Sequence, residues 1–345
     1  MKAFVIKAGS TSFDGLVQSE LPKPAPGAGE ILVEMRAASL NFRDLLVPLG
    51  RYFGGPVPID LIALSDGAGE VVALGSGVSR FKVGDRICGT FFRNYVDGPP
   101  AAVDRPALGS PVDGVLAEYV VFNERDAVHM PANLTYIEAA TLPCAGVTAW
   151  HGLMVAGRQI KPGDTVLVLG TGGVSLQALQ LAKAAGAKVL VTSSDDTKLE
   201  RARLLGASGL INYKKTPEWS TEVLSLTNGR GADCVIEVGG AGTLKQSMLS
   251  LAHAGKVAMI GVLSGFQGDT NPHAMMLKGG SLHGIFVGNR TMFEQMNRAI
   301  EANDIHPVVD KVFSFSQTVE AFHYLQSQAH FGKVVLTMGL EAGGK

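Results

Sequence analysis

The sequence predicts an α/β protein in which a doubly wound parallel sheet is joined to a small β-barrel domain. Three observations predict it. Residues 164–192 run as strand, glycine turn, helix and strand. Strand-like and helical stretches alternate from there to about residue 288. The first 125 or so residues hold closely spaced strands separated by glycine turns.

Taken in order, Ile31–Ala37 alternates, Gly67–Val78 runs from strand into turn, and Lys82–Gly89 gives a further turn and strand. Leu116–Phe122 gives another, and strands this short and close suggest a barrel. Between them, Asn94–Gly114 is rich in Pro, Gly, Asp and Ala; a functional loop and an uneventful surface excursion both remain open. Thr135–Glu138 has capping-box spacing and opens a short helix. Thr165–Leu169 is a β-branched apolar run, as in a strand buried on both faces. Gly170 and Gly172 follow, where a tight turn and close backbone approach need residues without a Cβ. Val174, Ala178, Leu181, Ala182 and Ala185 recur at helical spacing, and Gly186 stops the helix.

This unit places a helix N-terminus where a dinucleotide pyrophosphate binds, with Gly172, Gly173 and Val174 as its turn; a purely structural unit is the alternative. Ser175 stands at the third glycine of the G-x-G-x-x-G pattern, a position that governs helix-to-strand packing and tolerates a small side chain. Later strands are expected at Ala207–Tyr213, Cys234–Val238, Gly255–Gly261 and Ser281–Val287. A helix (Met292–Ala302), a strand (Val309–Phe315), a second helix and Gly332–Thr337 finish the chain. These return to the first domain, so the expected division is 1–145 with 289–345 around an inserted 146–288.

Composition excludes several classes. With 30 basic and 31 acidic residues and no basic stripe, nothing points to nucleic acid. No apolar run reaches membrane-span length, and Ala3–Ile6 is too short for a secretion signal. Three scattered cysteines, Cys88, Cys144 and Cys234, favour a reducing compartment, so a cytoplasmic protein is expected.

Asn41-Phe-Arg-Asp44, Gly84-Asp-Arg86, Leu142-Pro-Cys-Ala-Gly-Val-Thr148 and Gly332-Lys-Val-Val-Leu336, in this order, resemble the medium-chain dehydrogenase/reductase superfamily. The likeness covers almost the whole chain and is strongest to the zinc-free quinone oxidoreductase branch, which implies a GroES-like barrel and a Rossmann cofactor domain. Zinc-dependent relatives carry ligands at positions matching Asn41, Ser65-Asp66 and Cys144; only Cys144 is retained, and one thiolate cannot hold a zinc ion that needs three protein ligands. A metal-free protein is expected, with Cys144 a small buried residue. The resemblance places Asn41 and Tyr52 beside the nicotinamide, as donors toward a substrate oxygen. The plainer readings are a helix-capping Asn41 and a Tyr52 that packs at the barrel mouth. Asp44 would support the site and Arg43 would face solvent; Lys333 is expected as a solvated lysine before the last strand, an approach to the cofactor being the alternative. The resemblance also gives Thr148 a hydroxyl contact to the nicotinamide side, and the backbone of Gly261, Val262, Phe286, Val287 and Gly288 contacts to its carboxamide and ribose.

The second strand of the cofactor unit ends in Ser193-Ser194, with Lys198 following, rather than in the acid that selects NAD. Hydroxyl donors and a cation suit a 2′-phosphate, so NADP(H) is the expected cofactor. Asp195 and Asp196 are accounted for as the acidic start of a helix. Tyr213 matches a position that reaches the same phosphate in similar proteins. The whole implies an NADPH-dependent reductase of quinones or conjugated enones acting on a small molecule. A zinc-free alcohol or aldehyde dehydrogenase and a cofactor-binding protein with little turnover are the alternatives. The apolar edge strand Ser281–Val287 implies a homodimer joined sheet to sheet.

Overall fold

The computed structural model describes residues 1–99, 106–265, 267–268 and 271–338. Part of the Asn94–Gly114 loop and part of the Gly265–Lys278 stretch thus lie outside the described residues. The chain divides into two compact units, Met1–Val147 with Gly288–Lys345, and Thr148–Val287.

In chain order the first unit begins with β1 (Lys2–Ile6), β2 (Leu16–Glu20), β3 (Glu30–Leu40), α1 (Phe42–Leu46), β4 (Leu61–Ile62) and β5 (Asp66–Leu74). It continues through β6 (Arg86–Gly89), β7 (Tyr119–Asn123), β8 (Ala127–His129) and α2 (Tyr136–Ala139), with α3 (Val147–Trp150) at the crossing. The capping box read at Thr135 and Glu138 is made, with Glu138 N–H donating to Thr135 Oγ1 and Thr135 N–H to Glu138 Oε2. The strand expected from Leu116 begins only at Tyr119, because Leu116 is taken by other partners: its carbonyl accepts from Phe4 and its N–H donates to Ala63.

The second unit comprises β9 (Thr165–Leu169), α4 (Gly173–Ala184), β10 (Lys188–Ser193), α5 (Asp196–Leu204) and β11 (Gly209–Asn212). It goes on with α6 (Trp219–Leu226), β12 (Ala232–Glu237), α7 (Leu244–Leu249), β13 (Leu251–Met259), α8 (His273–Leu277) and β14 (Ser281–Gly284). Its six strands lie in the order β11-β10-β9-β12-β13-β14, every pairing parallel. This is the doubly wound Rossmann arrangement, in which strand order reverses between β9 and β12 and leaves a crevice at their carboxyl ends. All five residues of β9 are buried, as the apolar run demanded. The last strand stops at Gly284 rather than Val287, because Val287 turns into the left-handed region at φ +52°.

The chain then returns to the first unit through α9 (Arg290–Ala302), β15 (Val309–Ser314), α10 (Thr318–Gln326) and β16 (Lys333–Thr337). There β16 inserts between β15 and β3, completing a sheet ordered β15-β16-β3-β5-β6-β8, with β7 also on β3. A smaller sheet, β2-β1-β4, packs with it in the GroES-like domain. Its core is continuous from Phe4 and Ile31 through Phe122 to Phe322 and Val334. Each such side chain contributes about 2–3 kcal/mol of transfer free energy, so the carboxyl-terminal strand is integral to the barrel.

Candidate active site and cofactor site

In the first unit the site is built where β3 hands over to α1. The β3–β16 register pairs Leu40 with Val334, which sets Asn41 opposite Lys333. Lys333 does not face solvent: it is 4% exposed, and its Nζ donates to Leu40 O at 2.6 Å and Asn41 Oδ1 at 2.5 Å. Burial pulls its pKa down, against the opposing charges of Asp66, Cys144 and Asp44. The main chain of Asn41 is held as well, its N–H donating to Asp44 Oδ2 at 2.7 Å. Burial pushes Asp44 up to about 6, opposed chiefly by Arg43. Asn41 Nδ2 is buried and has no hydrogen-bond partner.

Arg43 is also buried, at 8% exposed, with Nη1 donating to Leu108 O at 2.8 Å and Nη2 to Ser110 O at 3.1 Å. Its guanidinium carbon lies 4.7 Å from the Tyr52 ring centroid and 5.0 Å from that of Phe91, a cation in reach of two aromatic rings. Burial works against its charge, yet Asp44 and Tyr52 outweigh burial and raise its pKa. Tyr52 is half-buried on this cation, so the structure brings Asn41, Tyr52, Arg43, Asp44 and Lys333 into one polar cluster.

In the second unit the glycine turn has the form that the sequence required. Gly170 is left-handed at φ +73°, and the Cβ position of Gly172 meets open space. Gly172 precedes α4, whose first turn holds Gly173, Val174 and Ser175. Ser175 is 1% exposed and its Oγ donates to Leu169 O at 2.6 Å, so the serine tethers the helix to the strand where the pattern has glycine. A pyrophosphate fits this open, N–H-lined turn.

At the end of β10, Ser193 pairs with Asn212, and Tyr213 N–H donates to Ser193 O at 3.1 Å, which gathers Ser193, Ser194 and Tyr213 at one strand end. Ser193 is buried and its Oγ accepts from Asp195 N–H at 3.2 Å, while Tyr213 is exposed. Both nearby acids are committed elsewhere. Asp195 caps α5 by accepting from Thr197 and Lys198 N–H, and Asp196 accepts from Asn212 Nδ2 and Lys215 Nζ.

Thr148 is buried in α3. Gly261 sits where a Cβ would stand 2.2 Å from Val238 O, so only glycine allows this approach. Phe286 is 46% exposed, whereas Val287 is buried and strained, since a β-branched residue at positive φ is a conformational outlier. His151 Nδ1–H donates to Val287 O at 2.6 Å and holds that strain. Gly288, in the first unit, has no room for a Cβ against Val147 and Met292.

The alcohol dehydrogenase GroES-like domain family matches residues 27–132, and the zinc-binding dehydrogenase family matches 173–302. A zinc-type alcohol dehydrogenase-like protein of Schizosaccharomyces pombe is 49% identical over 344 residues, covering 96% of this chain and 98% of that protein. The chain belongs to the medium-chain dehydrogenase/reductase superfamily. This superfamily comprises oxidoreductases that use a nicotinamide cofactor. A 2-methylene-furan-3-one reductase of Solanum lycopersicum is 31% identical, covering 93% of this chain and 74% of that protein. Among solved structures, an NAD-dependent alcohol dehydrogenase matches at 33% identity and a TM-score of 0.90, over 98% of this chain and all of that one.

The zinc in the family's descriptive names finds no fitting donors here. Asp66 Oδ1 accepts from Ser65 Oγ at 2.7 Å and Oδ2 from Cys144 N–H at 2.9 Å. Burial pushes the Cys144 thiol far above its ordinary pKa. Lys333 Nζ stands on Asn41 Oδ1, with Asp66 and Cys144 among the groups whose charges act on it. Among the described residues no group of three metal-ligating side chains assembles.

Three functional residues escape a reading of the sequence. Lys333 is set by the pairing of β16 with β3, and Arg43 by the distant carbonyls of Leu108 and Ser110. Glu237, fully buried at the end of β12, accepts from Gly239 and Gly240 N–H and from Thr243 and Ser247 hydroxyls. It orders the loop on which Gly261 and Val262 rest, a Cβ at Gly240 standing only 2.9 Å from Val262 Cα. The one available signal was an acid inside an apolar strand run.

Proposed function

We propose that the chain is a metal-free, NADPH-dependent reductase of conjugated enones or quinones. The observation that carries this reading is the Asn41 amide, whose buried Nδ2 has no partner in a cluster whose donors do not suit zinc. Without a Lewis acid, an unactivated ketone lacks its usual oxyanion stabiliser, whereas a conjugated carbonyl spreads the incoming charge. When bound, the reduced nicotinamide supplies the hydride. Asn41 Nδ2 donates to the oxygen on which charge develops, and Tyr52, on the Arg43 guanidinium, delivers the proton that completes the reduction. The turn at Gly172–Val174 holds the pyrophosphate, with Thr148 and the backbone of Gly261, Val262, Phe286, Val287 and Gly288 around the nicotinamide end. Ser193, Ser194, Lys198 and Tyr213 take the 2′-phosphate. The commitment of Asp195 to a helix cap and of Asp196 to Asn212 and Lys215 supports NADPH, since neither carboxylate is turned to accept from ribose hydroxyls. The tomato relative's substrate, an enone by its name, favours the same reaction class.

An edge at β14 with Leu282 45% exposed supports a homodimer in which two copies join their sheets; light scattering at micromolar concentration showing a monomer overturns that part. The reaction is tested by following NADPH and NADH oxidation at 340 nm with enones, quinones and aldehydes separately, on chelator-treated protein. Enone or quinone turnover with NADPH is expected. Turnover with aldehydes alone favours the zinc-free alcohol dehydrogenase, as the NAD-dependent structural neighbour suggests. Cofactor binding without any turnover assigns a non-catalytic role, and dependence on added zinc refutes the metal-free site.

A further inference from the structure

We propose that Lys333 is a positioning residue that dictates which end of the Asn41 amide is offered to a ligand. An asparagine side chain is a two-ended group, acceptor on one side and donor on the other, and nothing in its shape selects between them. An ammonium removes that ambiguity because it has donors only. With Lys333 Nζ 2.5 Å from the side chain, the end facing it must be the oxygen, and Nδ2 must face away. Nδ2 is the end left buried without a partner, although an unmade buried hydrogen bond costs about 1–3 kcal/mol. A donor kept in that state by a neighbouring buried cation is matched to an incoming acceptor, such as a carbonyl oxygen gaining negative charge.

The rest of the cluster fits this role. Asp44 grips the backbone of the same residue through the Asn41 N–H. Lys333 also bonds the preceding carbonyl, Leu40 O, so the peptide leading into Asn41 is fixed from the same side. The antiparallel register of β16 on β3 places the lysine there without any flexible loop. Burial acts against the charge of Lys333, and the neighbouring Asp66, Cys144 and Asp44 act to keep it. The proposal deepens the reductase reading, since it explains how that donor is presented.

The experiment uses the full chain labelled with ¹⁵N-asparagine, in wild type, Lys333→Arg, Lys333→Met and Asn41→Ala, the last identifying the Asn41 NH2 signals. A cation on Oδ1 strengthens the amide C–N double bond. The Asn41 NH2 pair is therefore expected to rotate slowly in wild-type ligand-free protein and several-fold faster in Lys333→Met, with the other asparagines unchanged. In NADPH-dependent reduction of a cyclic enone, Lys333→Met is expected to lower kcat about a hundredfold, the scale of a displaced catalytic contact. Adding Lys333→Met to Asn41→Ala is expected to cost almost nothing further, because the lysine acts through the asparagine. Should Lys333→Met fail to fold, Lys333→Arg, which keeps the charge with a different head, is expected to retain thermal stability and still lose about tenfold in kcat. Unchanged Asn41 NH2 rotation in Lys333→Met, or losses that multiply in the double variant, overturns the proposal. A wild-type chain that reduces no enone removes the reaction and leaves the amide measurement to decide Lys333.

Discussion

Replacing Glu237 by leucine removes the acceptor for four donors at once. Gly239 N–H stands 2.7 Å from Oε1, Gly240 N–H 3.0 Å and Thr243 Oγ1 2.6 Å, with Ser247 Oγ on Oε2. The two hydroxyls can rotate to other acceptors, and Thr243 Oγ1 already lies 3.2 Å from Gly240 O. The two backbone donors are buried and fixed, and each left unmade costs about 1–3 kcal/mol. Glu237→Leu should therefore destabilise the second unit by about 4 kcal/mol. At roughly 3 °C per kcal/mol for a domain of this size, that is a fall of about 10 °C in its unfolding midpoint. Glu237→Gln keeps one oxygen for the backbone donors and should cost about 1–2 kcal/mol, the difference between charge-assisted and neutral bonds less the easier burial of an amide. Scanning calorimetry on both variants, with NADPH titration by intrinsic fluorescence, reads stability and cofactor affinity together. Affinity should weaken in Glu237→Leu, because Gly240 packs on the backbone of Gly261 and Val262. A leucine variant as stable as the glutamine variant would refute the reasoning, since the orphaned N–H groups are its whole basis.

Tyr52→Phe should lower turnover about a hundredfold with NADPH affinity nearly unchanged, measured by steady-state kinetics and direct titration; full activity makes solvent the proton source. Ser193→Asp should reverse the cofactor preference in the ratio of kcat/KM for NADPH and NADH, and an untouched ratio would show that the strand end does not discriminate. His306 is held above its ordinary pKa, chiefly by its hydrogen bond to Glu138, so the stability it contributes is complete below about pH 6.5 and is lost as pH rises through the raised value. The pair is half-exposed, so the loss is at most about 1 kcal/mol. Thermal melts between pH 5.5 and 8.5 should therefore flatten in His306→Gln.

The sequence disclosed those parts of the molecule whose physics is local. Gly170 and Gly172 follow an apolar run directly, and a turn that needs φ near +73° and no Cβ is written in three or four adjacent residues. The capping box at Thr135 and the stop at Gly186 are legible for the same reason. The pairing of distant strands is not local, and there the reading failed. A lysine ahead of an apolar strand resembles any solvated lysine until β16 is known to lie against β3. Arg43 looks like a surface residue of a short helix until Phe91 and Tyr52 are seen against its guanidinium. The strain at Val287 leaves no trace in composition, because valine is a residue that the left-handed region normally excludes.

The placement of β16 bears on the order in which the protein is made. Every strand of the second unit lies within residues 165–284 and pairs in parallel with strands of the same stretch, and these can pair while the chain is still being synthesised. The first unit starts earlier and finishes later. Until Lys333–Thr337 is released, the edge of β3 that β16 will cover is bare, and the Asn41 amide has no cation to orient it. The nascent barrel is thus both adhesive and chemically incomplete while the cofactor domain folds. The strand that protects its edge is the one that delivers Lys333, so edge closure and site assembly occur in a single step.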